Sequence, residues 1–282
     1  MKGNRKGLTL VELLVGMALM GIILTALVSF FMQSSKASMQ SSARADLQQE
    51  TLNAQQLIAG KLKEAWYIYP QGQTIKMTST VLTQRPSGGN TWTVGTDPIL
   101  AMLLPPRSST NTCNTTATST AATGPSQNGC YRFLAYFPVK RGVWLAGTAS
   151  DSWRNPGPDA PNNETWVLAE YRGLMPSTFN PTTFPPATLP AAPNGNTSNL
   201  LTDYVAPTTL TTGFTTSGNV YTMFEYGTAD GSASSLTNSV NSVTVNLGVT
   251  RQIAGKLLRL PNATDEYTIS VFPTNLGKIA AN

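Results

Sequence analysis

Between Leu13 and Met32 the chain runs for twenty residues without a single charged side chain. As a helix, at about 1.5 Å per residue, such a run covers about 30 Å, the thickness of a bilayer's hydrocarbon core. A helix apolar on every side must be covered by lipid or by other apolar helices, so the run constrains the fold more than any other feature. Lys2, Arg5 and Lys6 precede it, which puts the amino terminus on the cytoplasmic side and the bulk of the chain on the other. Glu12 is the only charge between Gly7 and Lys36. A carboxylate inside a membrane helix costs at least about 2.5–3.5 kcal/mol, which marks Glu12 as functional and calls for a partner.

The stretch Lys6-Gly7-Leu8-Thr9-Leu10-Val11-Glu12-Leu13-Leu14 resembles the class III signal of type IV prepilins and of the pseudopilins of type II secretion. The resemblance implies that a prepilin peptidase cuts between Gly7 and Leu8 and methylates the new amino terminus. Glu12 then becomes the fifth mature residue, where the family keeps a glutamate that pairs with the terminal amine of a neighbouring subunit. The physics agrees, because a buried amine and a buried carboxylate each offset the other's desolvation. Two departures stand out: the first mature residue is Leu8 where Phe is usual, and Ser29 occupies a position where many major pilins carry a helix-breaking Pro. Gly21 remains as a weak point at which the helix could loosen in a filament. A Sec signal peptide would place its apolar region before a small-residue cleavage site, and an uncleaved anchor gives Glu12 no reason to exist.

Formal net charge is +5, but Lys2, Arg5 and Lys6 belong to the expected leader. Without them, 16 of the 19 basic residues face 14 acidic ones, so charge does not argue for a polyanion partner. Charged residues are only 12%, and Thr, Ser, Asn and Pro are abundant, a composition of β-rich exported proteins with many turns. The only two cysteines, Cys113 and Cys130, both follow the apolar run and read as one disulfide in an oxidising compartment. With no histidine in the chain, two sulfurs seventeen positions apart make an incomplete zinc site.

After Met32 the chain turns polar yet stays free of proline as far as Tyr69. Ala43, Leu47, Ala54, Ile58, Leu62, Ala65 and Tyr69 recur mostly at three- and four-residue steps, one apolar face of a helix. The pattern predicts one helix from Leu8 to about Tyr67, ended by Pro70 and Gly72. Its first part, 8–32, is the membrane or filament-core segment, and 33–69 is the amphipathic part. Residues 70–282 form a β-rich head. Val243, Val245, Leu247 and Val249 alternate with polar residues, as do Tyr267, Ile269 and Val271, and the two strands are expected to be sequential antiparallel neighbours. Further strands are expected at Met77–Thr83, Ile99–Leu104, Tyr131–Phe137, Thr165–Arg172 and Asn219–Tyr226. Tyr131–Phe137 and Thr165–Tyr171 are apolar on both faces and belong at the centre of a sheet. Ser108–Gly129, Ser150–Glu164 and Met175–Gly218 read as irregular, the last with seven prolines. The fold class is therefore α+β: a long helix packed on an antiparallel sheet with long loops, which is also the fold the resemblance implies.

Nothing fills the roles of acid, base or nucleophile. Histidine is absent, and no G-x-S-x-G, G-x-x-x-x-G-K-[ST] or G-x-G-x-x-G occurs, so no enzyme activity and no cofactor is expected. Asp151, Asp159 and Glu164 with Asn155, Asn162 and Asn163 form a constellation of hard oxygens for Ca²⁺, but the spacing fits no loop motif and suits a surface turn equally. Lys140, Arg141, Arg154, Arg172, Arg251, Lys256 and Arg259, interleaved with Trp144, Trp153 and Trp166, would make a DNA-binding patch if gathered on one face; scattered solvated charges around core tryptophans are the plainer reading. Four N-x-[ST] sequons, the first at Asn114, carry little weight in a chain so rich in Asn and Thr.

By size and C-terminal strand pattern the chain is similar to minor pilins of the PilW type. The resemblance implies a structural subunit of a type IV pilus, anchored by a single pass in the inner membrane with its head in the periplasm, and later carried in the extracellular fibre. Implied partners are other pilin subunits, the prepilin peptidase, the inner-membrane assembly platform and, before assembly, membrane lipid. A minor pseudopilin of type II secretion shares every one of these features. A tip adhesin or DNA-uptake pilin, contacting a surface ligand or DNA, is a third reading. On this account Gly7→Val leaves the leader attached, giving a band seven residues heavier on immunoblots; a variant of normal mobility would remove the proposed cleavage site.

Overall fold

The computed structural model describes residues 10–77, 80–108, 113, 127–179, 198–208, 221–228, 240–262 and 264–278. Helix α1 spans Leu10–Glu64 without interruption, about 80 Å at 1.5 Å per residue. The helix is continuous through Gly21, whose carbonyl accepts a second bond from the Thr25 hydroxyl at 2.8 Å. It ends three residues before the expected Tyr67. Trp66 N–H donates to Leu103 O at 2.8 Å and Tyr69 N–H to Ala101 O at 3.0 Å, so a sheet claims the chain before Pro70 could stop it.

The strands that follow are β1 (Tyr67–Ile68), β2 (Thr74–Lys76), β3 (Thr91–Thr93), β4 (Leu100–Leu104), β5 (Arg132–Lys140) and β6 (Trp166–Leu174). They continue as β7 (Ser198–Val205), β8 (Phe224–Thr228), β9 (Val240–Leu247), β10 (Val249–Ile253), β11 (Lys256–Leu260) and β12 (Tyr267–Val271). A short helix, α2 (Arg141–Gly147), follows β5 directly. Seven strands form one antiparallel sheet in the order β1-β4-β5-β6-β7-β10-β11, three form a second in the order β12-β9-β8, and β2 pairs with β3.

The expectation that Tyr131–Phe137 and Thr165–Tyr171 lie centrally corresponds to β5 and β6, the third and fourth strands of the large sheet. Each face has its own core. Leu134, Tyr136, Leu168, Leu100 and Met102 pack with Ile58 and Leu62 of α1 and with Val243, Val245 and Phe224 of the small sheet. On the other face Phe133, Ala135, Phe137, Val167 and Tyr171 meet Trp66, Tyr69, Trp92 and Trp144. Ring contacts such as Tyr69–Phe133 at 5.7 Å and Phe133–Tyr171 at 6.0 Å, both edge-on, continue through that second core. Burial on both faces explains why β5 reads as unbroken apolar sequence. Pro138 is tolerated because β4 begins at Leu100, opposite Tyr136, so that beyond Tyr136 β5 has a neighbour on one side only.

Several expectations are corrected. Met77–Thr83 is not a strand: pairing ends at Lys76, and Val81–Thr83 forms a 3-10 turn. The expected Asn219–Tyr226 strand is β8, beginning at Phe224; Asn219 and Val220 lie outside the described residues. Val243–Val249 is not one strand. The chain leaves the small sheet after Leu247, and Val249 opens β10 in the large sheet. Gly248 stands at the crossing, where a Cβ would lie 3.2 Å from Ala206 Cβ. Accordingly β9 and β12 are antiparallel neighbours, as expected, yet not sequential, because the hairpin β10–β11 intervenes in the other sheet. That hairpin turns through Ala254 and Gly255 with φ of 51° and 79°, the mirror-image conformation that two-residue hairpins prefer. Within the tract read as irregular, Ser198–Val205 is β7, paired with both β6 and β10.

Of the predicted helical stripe, Leu47, Ala54, Ile58 and Leu62 are buried, joined by Thr51, Gln55 and Ala59. Leu62→Ala empties a fully buried site between α1 and the sheet and is expected to cost about 2–5 kcal/mol in denaturant unfolding, while Leu57→Ala, on the outer face, changes stability by under about 1 kcal/mol.

Candidate functional site: an exposed anchor keyed into the head

From Leu10 to Met39 every residue of α1 is exposed, and none of its most apolar stretch is covered by the head. Large side chains such as Leu10, Met17, Ile22 and Phe31 stand in the open, an arrangement tenable only with lipid or apolar helices around them. Glu12 lies in the first turn of α1, exposed among Leu10, Val11, Leu13 and Leu14. A carboxylate near a helix amino terminus also gains from the aligned peptide dipoles. Gly7 and Leu8, the expected cleavage pair, lie outside the described residues.

The other half of α1 is keyed into the head by polar contacts as well as by its apolar stripe. The buried Gln55 amide donates to Val245 O at 3.1 Å and to Tyr267 O at 2.6 Å, so one side chain bridges β9 and β12. Glu50 Oε1 accepts the Asp203 backbone N–H at 3.0 Å, tying the helix to β7. Asp203 is itself a partner of Arg141, which is wholly buried at the start of α2. Arg141 Nε donates to both Asp203 oxygens at 3.1 and 3.0 Å, and Nη2 donates to Gly157 O at 2.8 Å. The next residue, Tyr204, has a φ of 57° and donates its backbone N–H to Asp203 Oδ1 at 2.8 Å. Its ring lies between two guanidiniums, Arg251 at 4.3 Å and Arg141 at 5.0 Å, and its hydroxyl donates to Asp159 Oδ2 at 2.8 Å. Arg251 Nη2 reaches the same Asp159 oxygen at 3.3 Å.

The two carboxyls of this junction are displaced in opposite directions. Burial pushes Asp203 above the usual carboxylate range, and the Arg141 charge and the Tyr204 amide offset only part of that. Burial also acts on Asp159, but hydrogen bonds from Asn162, Tyr204 and Arg251 outweigh it and hold the group below the usual range. A depressed carboxyl stabilises the fold above its unfolded pKa and loses that contribution as pH falls through the folded value, while the raised carboxyl has the reverse dependence.

Most of the oxygens weighed as a calcium set are engaged with other groups of the fold. Asp151 pairs with Arg154, Asp159 is bonded by Tyr204 and Arg251, and Glu164 lies 3.6 Å from Lys140. Asn155 Oδ1 accepts Gly157 N–H, and Asn162 exchanges two bonds with the Gln252 backbone. Among the described residues no group of three metal-ligating side chains occurs. Nor do the basic residues and tryptophans form an open polyanion face. Arg141 and Arg259 are buried, Arg172 pairs with Glu170, and Trp144 and Trp166 are core; Trp153 alone of those three tryptophans is exposed.

Cys113 and Cys130 are joined in a disulfide, with Cα atoms 4.4 Å apart. It pins the loop between β4 and β5 just before Tyr131, although most of that loop lies outside the described residues. The keying residues Glu50, Gln55, Asp203 and Tyr204 carry no sequence motif. The usable signal was polar residues, Thr51 and Gln55, standing inside an apolar helical stripe.

Arg141→Met strands a buried carboxylate and is expected to cost about 3–5 kcal/mol in chemical unfolding, whereas Arg141→Met combined with Asp203→Leu recovers much of the loss. Acidification from about pH 5 to about pH 3 weakens the Asp159 contacts, so Asp159→Asn shows a smaller loss of melting temperature over that interval than the parent chain.

The family model described as the prokaryotic N-terminal methylation motif matches residues 2–28, a segment that contains Gly7, Leu8 and Glu12. No curated protein and no solved structure matches the chain. The matched segment indicates a type IV pilin-like or pseudopilin precursor, and the exposed apolar helix that continues from it, followed by the antiparallel head, fits an inner-membrane-anchored protein of that kind.

Proposed function

We propose that the chain is a structural, non-catalytic subunit of a type IV pilus, a minor pilin whose large head suits the tip or the initiation complex. The observation that carries this reading is the methylation signal leading into a helix left bare from Leu10 to Met39. A prepilin peptidase cuts between Gly7 and Leu8 and methylates Leu8. The bare helix holds the subunit in the inner membrane with its head in the periplasm. The assembly platform then lifts it into the fibre, where packing against neighbouring apolar helices replaces lipid. Glu12 docks against the amino terminus of a neighbour, a pairing that offsets the desolvation of both charges. Assignment to the PilW type rests on size and C-terminal strand pattern. The bulk of the head favours a minor role, because seven strands, three more and long connections would crowd a helically packed fibre.

The same signal and helix suit a minor pseudopilin of type II secretion, and location separates the two readings. Mass spectrometry of sheared filaments is expected to find a methylated Leu8 terminus in small amounts; the same terminus in membranes alone would favour the pseudopilin, and an intact Met1 everywhere would overturn both. A role as tip adhesin or DNA-uptake pilin is compatible with the minor position, although the arginines here are largely spent on internal pairs. Glu12→Ala is expected to be cleaved normally yet depleted several-fold from filaments, and parental recovery there would remove its docking role.

A further inference from the structure

Where the carboxyl end of α1 leaves the large sheet, a cleft of about 400 Å³ opens between Lys61 of the helix and the ends of β4, β5 and β6. Four cationic side chains line it, Lys61, Arg107, Arg132 and Arg172, and among the described residues no carboxylate is part of its wall. Register explains the gathering. Arg132 is opposite Leu104 and Leu174, and Arg172 is opposite Leu134, so both guanidiniums rise from the face on which α1 packs. Leu104 and Leu134 beneath them belong to the core, which gives the cleft a floor of low polarisability.

The four cations are not equally satisfied. Lys61 is held by Glu64 at 3.0 Å, and Arg172 is held by Glu170, which also accepts the Tyr136 hydroxyl at 3.0 Å. Arg107 has no ion-pair partner among the described residues, and Arg132 makes a single bond, Nη2 to Pro105 O at 3.3 Å. Arg132 Nε is buried without any hydrogen-bond partner. Two guanidiniums without an ion-pair partner among the described residues therefore share one partly enclosed space. Burial, and the like charges of Arg107 and Arg172, lower the proton affinity of Arg132 against the opposing pull of Glu64. Such an arrangement is unfavourable when empty and is relieved by an anion, because guanidinium forks match the paired oxygens of carboxylate and phosphate.

We propose that this cleft is an oxyanion site, taking a phosphate or carboxylate group of a small ligand between Arg107 and Arg132, with Lys61 and Arg172 at its margins. The volume suits a compact ligand and not a polymer. The site is independent of the pilin reading, which rests on residues 2–28, so failure of one leaves the other intact.

The test is calorimetric titration of the full-length chain in non-ionic detergent, with inorganic phosphate and with succinate at constant ionic strength. One saturable site is expected, weakened about tenfold or more in both Arg132→Gln and Arg107→Gln. Arg107 is exposed and has no ion-pair partner among the described residues, so its substitution leaves the melting temperature unchanged and isolates binding from folding. Lys256→Gln, an exposed cation on the distant β10–β11 hairpin, retains parental affinity. Tighter phosphate binding identifies a phosphate-bearing ligand and tighter succinate binding a carboxylate. Absence of saturable heat with either anion up to about 10 mM, or parental affinity in Arg107→Gln, would overturn the proposal.

Discussion

One helix has to live in two solvents, and the rest of the molecule is arranged around that requirement. The first half of α1 is exposed along its length from Leu10 to Met39 and is stable only where apolar surroundings replace water. The second half is stable only against the head, because a polar helix gains little from its own hydrogen bonds without a packed face. The head therefore has to present a long apolar seat, and the face formed by β4, β5, β6 and the small sheet is that seat. Since the helix is continuous from Leu10 to Glu64, a force applied to the anchor reaches the head directly.

The seat is apolar, and apolar packing alone tolerates sliding and rotation. Register between helix and head is set by the polar contacts, in which Glu50 and Gln55 address single backbone groups on β7, β9 and β12. Asp203 links this to a second layer, its backbone N–H bonded to Glu50 of α1 and its carboxylate to the buried Arg141, so that α1, α2 and the sheet meet at one residue. Such a pair contributes little net stability over a hydrophobic replacement, yet a mismatched arrangement would leave a charge buried and unpaired. Specificity is thus its physical consequence. Tyr204 adopts a left-handed backbone conformation at this junction, an unfavourable geometry for a tyrosine that the surrounding guanidiniums and Asp159 hold in place.

The use of charge differs sharply across the head. Around Asp151, Asp159 and Glu164 the carboxylates meet arginines and lysines and are neutralised within the fold, which removes both a cation site and an open basic face. At the carboxyl end of α1 the pairing is incomplete, and Arg107 and Arg132 have no ion-pair partner among the described residues. The two regions have similar residue types and differ only in which strands bring them together.

The apolar run, its preceding basic residues and Glu12 are local properties, and for this reason the apolar helix and the methylation signal were legible in the sequence alone. The lower helical stripe was legible as well, because a 3.6-residue period persists whatever the helix packs against, and so were the doubly apolar strands β5 and β6. The strand β7 was hidden in a proline-rich tract, and the end of α1 was hidden because hydrogen bonds from β4, far along the chain, outcompete one more helical turn. Gly248 was equally opaque: alternation of apolar residues runs straight through it, and only the crowding of Ala206 reveals that the chain changes sheets there. Arg141 read as a surface charge but is buried, since its fate depends on Asp203 arriving from 62 positions away. The sequence by itself determined where the chain is apolar enough to cross a membrane and what secondary structure it favours, because those follow from side-chain chemistry over a few turns. Tertiary structure alone decided which charges are cancelled and which are left facing a cleft, because cancellation depends on partners that only strand register brings within reach.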